Sequence, residues 1–321
     1  MNITVIGCGR WGSLITWYLD HIGHRVTLYG RAASPRMQAF LTTRQNDLLT
    51  LPESVALSTA LDAALESAET VIISIGSQGL RSLLGQSELQ ALRSRTVVLC
   101  MKGLEMGTGA RLSQIAAELL HPSNTVAVWL GPGHVQEFYR GIPNCMVIDS
   151  ENEDVKRRLV QAFSSDLIRF YYGGDMIGNE VGAAAKNVVG IAAGFLDGFE
   201  MSSLKGALMS RGTREVARLI KAMGGSELSA YGLCHLGDYE ATVFSPYSHN
   251  RQFGESFVRG QDYHQLAEGY YTVKALMLLG QRYGVELPIC KAVHDILYEQ
   301  AVPRDVLDGL LRRGLTEEFY D

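Results

Sequence analysis

The chain opens on an apolar run, Ile3–Ile6, that Gly7 cuts short. Short β-branched runs of the same kind recur at Arg25–Tyr29, Thr70–Ser74, Thr96–Met101, Val126–Leu130, Cys145–Ile148 and Ile168–Tyr172, with stretches of helical period between them. This alternation is the sequence form of βαβ units, whose right-handed crossovers build a sheet covered by helices on both faces. A doubly wound α/β architecture follows. From Asp175 onward the strand signals stop, and helical period runs over Asn179–Gly198, Leu204–Met223, Tyr263–Tyr283 and Pro288–Ala301. The expectation is a doubly wound domain over residues 1–177 and an all-helical domain over 178–321. No Pro/Ser-rich linker marks the boundary, which is read from the change of period near Gly173–Gly178; no internal repeat or low-complexity segment interrupts either half.

Composition narrows the function classes. The 321 residues are 46% hydrophobic and 20% charged, an ordinary globular mixture, and the length is about twice a typical ~150-residue domain. The net charge of −5 and the lack of any long like-charge run give no reason to expect a nucleic-acid or membrane surface, and point to small-molecule chemistry. The five cysteines (Cys8, Cys100, Cys145, Cys234, Cys290) are scattered and never spaced as CxxC, so neither a disulfide framework nor a structural zinc site is expected. Cys234 and His235 are adjacent, but neighbouring side chains diverge and a metal needs three or four converging ligands; no metal is expected. Met1 leads into Ile3–Ile6 without a basic segment, which reads as a cytoplasmic chain.

The sharpest motif is Gly7-Cys8-Gly9-Arg10-Trp11-Gly12, a GxGxxG that follows a predicted strand and opens a predicted helix. In a Rossmann-type unit the first glycine permits the tight turn, the second lets the backbone approach a pyrophosphate, and the third allows the helix to pack on the strand. Backbone N–H groups and the helix dipole then face the anion. NAD-selective sites place an Asp or Glu at the end of the second strand; here the chain reads Tyr29-Gly30-Arg31. A guanidinium there can meet a 2′-phosphate, which leans the cofactor toward NADP over NAD; a solvated loop cation is the other reading of Arg31.

In the second half, residues 182–194 (GAAAKNVVGIAAG) combine glycine, alanine and one lysine in a helical stretch. Each interior glycine costs a helix up to ~1 kcal/mol, so their accumulation implies that another backbone or a ligand comes close. Lys186, among small apolar neighbours, would be desolvated; its pKa would fall and it could exchange a proton near neutral pH. Taken alone it reads equally well as a lysine snorkelling to solvent.

Many ordered motifs together resemble the NAD(P)-dependent glycerol-3-phosphate dehydrogenases over nearly the whole chain. They are the GxGxWG start, Ser77-Gln78 before Leu80-Arg81, Lys102-Gly103-Leu104-Glu105, Gly131-Pro132 followed by Glu137, and Gly141-Ile142-Pro143. Asp175 to Glu180, Gly182 through Lys186-Asn187, Ser210-Arg211-Gly212, Gly237-Asp238, Asn250-Arg251 with Gly254, and Glu268-Gly269 continue the series. The resemblance implies hydride transfer between NAD(P)H and dihydroxyacetone phosphate or sn-glycerol 3-phosphate, for glycerophospholipid synthesis, in a homodimer. It implies Lys186, Lys102 and Asp238 as catalytic residues, with Lys102, Gly131, Gly133, Asp238, Ser248, His249 and Asn250 at the substrate. For the cofactor it implies Gly7, Gly9, Arg10, Trp11, Gly12, Arg31, Lys102, Val135, Arg251, Leu266 and Glu268.

The chain departs from the family pattern in places. Where the family reads Ser-Arg-Asn before a final Arg, this chain has Ser248-His249-Asn250-Arg251, and histidine lacks the permanent bidentate grip of arginine on phosphate. Arg251 could compensate. Gly131 to Val135 lacks the usual Ser or Thr and aromatic; Gly232-Leu233-Cys234-His235-Leu236 replaces mostly small residues; Gly76 stands for a usual proline. These departures keep open the reduction of another small keto acid or keto phosphate; a non-catalytic nicotinamide-binding redox sensor is a further alternative, against which Lys102, Lys186, Asp238 and Asn250 are all present together.

Overall fold

In a computed structural model, which describes residues 1–312 and 317–318, the β-branched runs line up side by side. Strands β1 (Asn2–Ile6), β2 (Arg25–Tyr29), β3 (Ala56–Ser58), β4 (Thr70–Ile73), β5 (Thr96–Leu99), β6 (Thr125–Leu130), β7 (Asn144–Asp149) and β8 (Ile168–Tyr172) form one sheet. The order is β3-β2-β1-β4-β5-β6-β7-β8, parallel throughout except between β6 and β7. Every residue of β4 and β5 is buried, as strands covered on both faces must be. The covering helices are α1 (Arg10–His21), α2 (Pro35–Thr43), α3 (Leu61–Leu65), α4 (Leu80–Leu84), α5 (Ser87–Gln90), α6 (Leu112–Leu119), α7 (Val135–Tyr139) and α8 (Glu153–Phe163).

All seven runs read from the sequence become strands, with ends displaced by at most two residues. The three-residue edge strand β3 carries too little pattern to be read. The antiparallel β7 is the other difference. The register Leu130↔Val147 and Val128↔Asp149 shows β7 starting at the sheet edge where β6 ends. Its connection holds only the five-residue α7, which packs on α1 through Trp11–Phe138 and Trp17–Tyr139 instead of crossing back.

The chain divides into two compact units: Met1–Met101 with Leu112–Met176, and Lys102–Arg111 with the residues from Ile177 onward. The second unit is built from α9 (Met176–Gly198), α10 (Lys205–Ala222), α11 (His249–Val258), α12 (Glu268–Tyr283), α13 (Pro288–Tyr298) and α14 (Pro303–Leu311). Between α10 and α11 the chain makes 3₁₀ turns at Glu227–Tyr231 and Leu236–Asp238 and a π-helical turn at Glu240–Phe244. Helix α11 lies between the stretches read as helical and α14 begins beyond the last of them; the sequence reading contained neither. Residues 263–267 lie outside α12, whose N-cap Ala267 is extended. No described helix is long and apolar enough to cross a membrane.

Helix α9 is buried continuously from Val181 to Leu196, the position of a helix surrounded by protein on all sides. Its glycines admit other backbone. A Cβ on Gly194 would collide with the Arg251 carbonyl and stand 2.7 Å from the Glu255 amide, and one on Gly254 would strike the Ile191 carbonyl. Substituting Gly194→Ala should therefore destabilise the protein by about 2 kcal/mol, the scale of core overpacking, although alanine is the better helix former by up to ~1 kcal/mol. Urea unfolding checks the sign, and a stabilised variant would refute the close packing.

Candidate active site

In the first unit the glycine motif sits at the carboxyl end of β1, beside β4, where the strand order reverses direction and doubly wound sheets bind ligands. Gly7 has φ +115° and a Cβ there would overlap the Ser74 carbonyl; one on Gly12 would overlap the Gly7 carbonyl. Gly9 is different. A Cβ on it would meet only Arg36 Nη1, at 3.6 Å, so its surroundings leave room for a ligand. It is also the N-cap of α1, and no side chain caps the helix. Backbone donors at a helix N-terminus, open approach at Gly9 and nearby guanidinium groups fit a dinucleotide pyrophosphate.

Arg31 is exposed just past β2, and Arg10 and Trp11 are partly buried at the start of α1. Arg36, on α2, was missed by the sequence reading; its only signal was a second arginine five residues after Arg31. Gly131 and Gly133 follow β6 with φ +126° and +143°, and a side chain on Gly133 would enter the Phe138 ring. Val135, buried, opens α7.

In the second unit four of the expected residues converge. The Asp238 carboxylate is 1% exposed, and its Oδ2 accepts from Lys102 Nζ at 2.7 Å and Lys186 Nζ at 2.9 Å. Lys186 Nζ also donates to Thr242 Oγ1 (2.7 Å), whose hydroxyl donates to the Asp238 carbonyl (2.7 Å). Asn187 Nδ2 donates to the Lys102 carbonyl (2.7 Å), and Asn250 Nδ2 to Asn187 Oδ1 (3.1 Å). Asn250 Oδ1 in turn accepts from the Gly269 amide at 2.9 Å. Asp238 Oδ1 is buried with no hydrogen-bond partner among the described residues, an acceptor available for a ligand hydroxyl. Thr242 and Asn187 were outside the expected site set; Thr242 lies one helical turn beyond Asp238, the spacing that could have found it.

Electrostatics follow from burial. Desolvation pushes the Lys186 ammonium down to about 8; Asp238 opposes the shift and the charge on Lys102 adds to it. Lys186 therefore changes protonation near neutral pH, as a group exchanging protons with substrate must. Snorkelling is excluded, since the side chain is only 8% exposed.

The remaining expected residues lie around the start of α11 and α12. Ser248 caps α11, its Oγ accepting from the Arg251 amide, and His249 Nδ1 is 2.7 Å from Tyr263 OH. Arg251 points along α9 instead: its Nη1 bonds Asp197 Oδ2 (2.8 Å) and Glu255 Oε2 (2.9 Å), and its Nε bonds the Ser245 carbonyl. Its guanidinium is thus held in an internal ion-pair network with Lys205, which also bonds Asp197. Leu266 is exposed, and Glu268 is the half-buried first residue of α12.

A family model described as NAD-dependent glycerol-3-phosphate dehydrogenase N-terminus matches residues 2–156, and its C-terminus counterpart matches 175–308. The chain belongs to this dehydrogenase family. It is 32% identical to a glycerol-3-phosphate dehydrogenase, NAD(P)+, of Thermoanaerobacter sp. (strain X514), over 100% of this chain and 99% of that one. A protein of the same description from Nitrosomonas europaea is 36% identical over 98% of each chain. The crystal structure of glycerol-3-phosphate dehydrogenase from Coxiella burnetii superposes with a TM-score of 0.89 at 27% identity, over 97% of this chain and 99% of that one. Family membership makes this chain an NAD(P)-dependent oxidoreductase acting on a CH–OH group.

Two cationic lysines on one carboxylate oxygen make Asp238 the counter-ion of the site. Asp238→Asn should lower stability at pH 7 by about 3 kcal/mol, the scale for stranding a buried charge. The loss should shrink above pH 8, where Lys186 becomes neutral. Denaturant unfolding at pH 7 and pH 9 measures both; an equal loss at the two pH values would contradict the charge argument.

Proposed function

We propose that the chain reduces dihydroxyacetone phosphate to sn-glycerol 3-phosphate and catalyses the reverse oxidation, with Lys186 exchanging the proton at the C2 oxygen. The observation that carries this reading is the buried Lys186 ammonium, held by Asp238 Oδ2 and Thr242 with its pKa brought down to about 8. The nicotinamide, when bound, supplies or accepts the hydride at C2. As the ketone gains alkoxide character, Lys186 gives its proton to that oxygen and Lys102 contributes a second positive charge. Asp238 Oδ2 holds both lysines, while Oδ1 accepts a hydrogen bond from the substrate hydroxyl. Asn250, braced by Asn187 and the Gly269 amide, presents its remaining amide donor capacity to the substrate. Gly131, Gly133, Ser248 and His249 complete the assignment, with the helix start at Ser248 and the imidazole of His249 directed to the phosphate.

For the cofactor, the Gly7–Gly12 turn takes the pyrophosphate, with Arg10, Trp11, Lys102, Val135, Leu266 and Glu268 as further contacts. Arg251 is assigned a bracing role, because Asp197 and Glu255 hold its guanidinium. NADP is preferred over NAD, since β2 ends without a carboxylate and Arg31 and Arg36 supply two cations. The enzyme acts as a homodimer in the cytoplasm and feeds glycerophospholipid synthesis.

Oxidation of NADPH by dihydroxyacetone phosphate, followed by absorbance, tests the activity directly. Lys186→Ala should lower kcat by at least about a thousandfold while cofactor binding, read by fluorescence, is retained. The working form for reduction is the protonated lysine, so kcat should be level below pH 8 and fall about tenfold per pH unit above it. Oxidation should show the opposite limb. Turnover that survives Lys186→Ala would refute the assignment. Replacing both Arg31 and Arg36 by Ala should cut the NADPH:NADH ratio of kcat/KM by about tenfold, one charge-assisted contact; an unchanged ratio would remove these arginines from cofactor selection.

A further inference from the structure

We propose that His235 and Tyr239 act as a positioning pair that fixes the Lys186 ammonium against Asp238 and keeps it dry; the proposal rests on Lys186 being the proton-exchanging group. Both side chains are fully buried, and the charges of Lys186 and Asp238 act on His235. His235 Nδ1 is 2.8 Å from the Gly182 carbonyl, and its Nε2 is 2.7 Å from Tyr239 OH. Only one proton arrangement satisfies both contacts in a neutral ring: Nδ1–H donates to the carbonyl, and the phenol donates to Nε2. The Thr213 hydroxyl donates to the Met209 carbonyl at 2.8 Å and lies 3.4 Å from the phenol oxygen, against 2.7 Å for Nε2, so the phenol proton goes to His235. Burial, aided by the charge on Lys186 and opposed by the Gly182 carbonyl and Asp238, pushes the imidazole down to about 4, so the ring is neutral at pH 7.

The geometry connects the two elements that carry the site. In the i→i−4 pattern of an α-helix, the Gly182 carbonyl is the partner of the Lys186 amide, so His235 is bonded to the turn that carries the lysine. His235 also precedes the 3₁₀ turn Leu236–Asp238 and the π-helical turn Glu240–Phe244, which hold Asp238 and Thr242. The segment holds itself by short turn bonds, such as the Asp238 amide to the His235 carbonyl at 3.0 Å, and the imidazole adds the tie to α9. Gly182 makes the approach possible: a Cβ there would stand 3.0 Å from His235 Cβ. Lys186, Asp238 and Tyr239 face His235, and Asp238, Lys102 and Cys234 face Lys186. The imidazole is the bulky neutral group among them, placed where mostly small residues are expected in this family.

The test compares pH profiles of kcat for NADPH-driven reduction of dihydroxyacetone phosphate in the full-length enzyme and four variants. His235→Ala should let water reach Lys186, moving the limb near pH 8 upward by about one unit and lowering kcat about tenfold at pH 7, with KM for NADPH unchanged. Tyr239→Phe, which deletes a single oxygen, should lower kcat about fivefold, the equivalent of one neutral hydrogen bond. His235→Asn, whose amide can keep the bond to Gly182, should recover most of the activity lost in His235→Ala. A purely structural pair would lower the melting temperature and leave the limb in place. An unmoved limb in His235→Ala, or an unchanged kcat in Tyr239→Phe, overturns the proposal even if the other variant fails to fold. Lys186→Ala separates the two levels: if it retains turnover, the reading of Lys186 fails and the pair's role falls with it.

Discussion

One carboxylate oxygen organises the second unit. Asp238 Oδ2 accepts from two lysines, and an ion pair so buried is stable only if its geometry and remaining hydrogen bonds offset the cost of desolvation. The surroundings supply those bonds to the lysine: Thr242 accepts from Lys186 and is itself oriented by the Asp238 carbonyl. The carboxylate keeps one oxygen in reserve. An orphaned buried acceptor costs about 1–3 kcal/mol in the free protein, which a substrate hydroxyl can recover on binding. The same shortage of solvent that makes the cluster expensive brings Lys186 into the range where it can exchange a proton.

Building such a cluster requires close backbone approach, and α9 provides it. Gly182 accommodates His235, Gly190 faces Thr242 and Asn250, and Gly194 packs on the backbone of Arg251 and Gly254. A helix rich in glycine is poor in intrinsic propensity, by up to ~1 kcal/mol per glycine. Burial on every side offsets that deficit, so stability and site geometry are set by the same contacts.

The sequence carried the fold class well because every strand but the short edge strand β3 is a β-branched run and each glycine of the turn has a distinct steric job. Gly7 and Gly12 meet backbone in the structure as those jobs require, while Gly9 stands open. Lys186 was half legible, since its small neighbours fit a desolvated lysine and a snorkelling one equally well. The His235–Tyr239 pair was not legible, because its segment follows 3₁₀ and π geometry, in which the period of side chains matches neither helix nor strand. Arg251 shows what pattern leaves out: beside a phosphate motif it reads as an anion ligand, and the structure adds that Asp197 and Glu255 hold its guanidinium at 2.8 and 2.9 Å. Pattern identifies charge; only the partners say what the charge does.

Lys102 shows how position can be controlled from elsewhere in the chain. It follows β5 by three residues in sequence, but residues 102–111 pack with the second unit. Leu104 is wholly buried in that unit's core, Arg111 pairs with Glu180 at 2.7 Å, and Arg282 bonds the Thr108 carbonyl. Asn187, next to Lys186, fixes the Lys102 carbonyl itself. The two lysines are therefore referenced to one helix, α9, through Asn187 and Glu180 as well as through Asp238. Their separation is set by side chains projecting from a single rigid element, which is how a pair of like charges can share one carboxylate without the loop between β5 and α6 having to be rigid on its own.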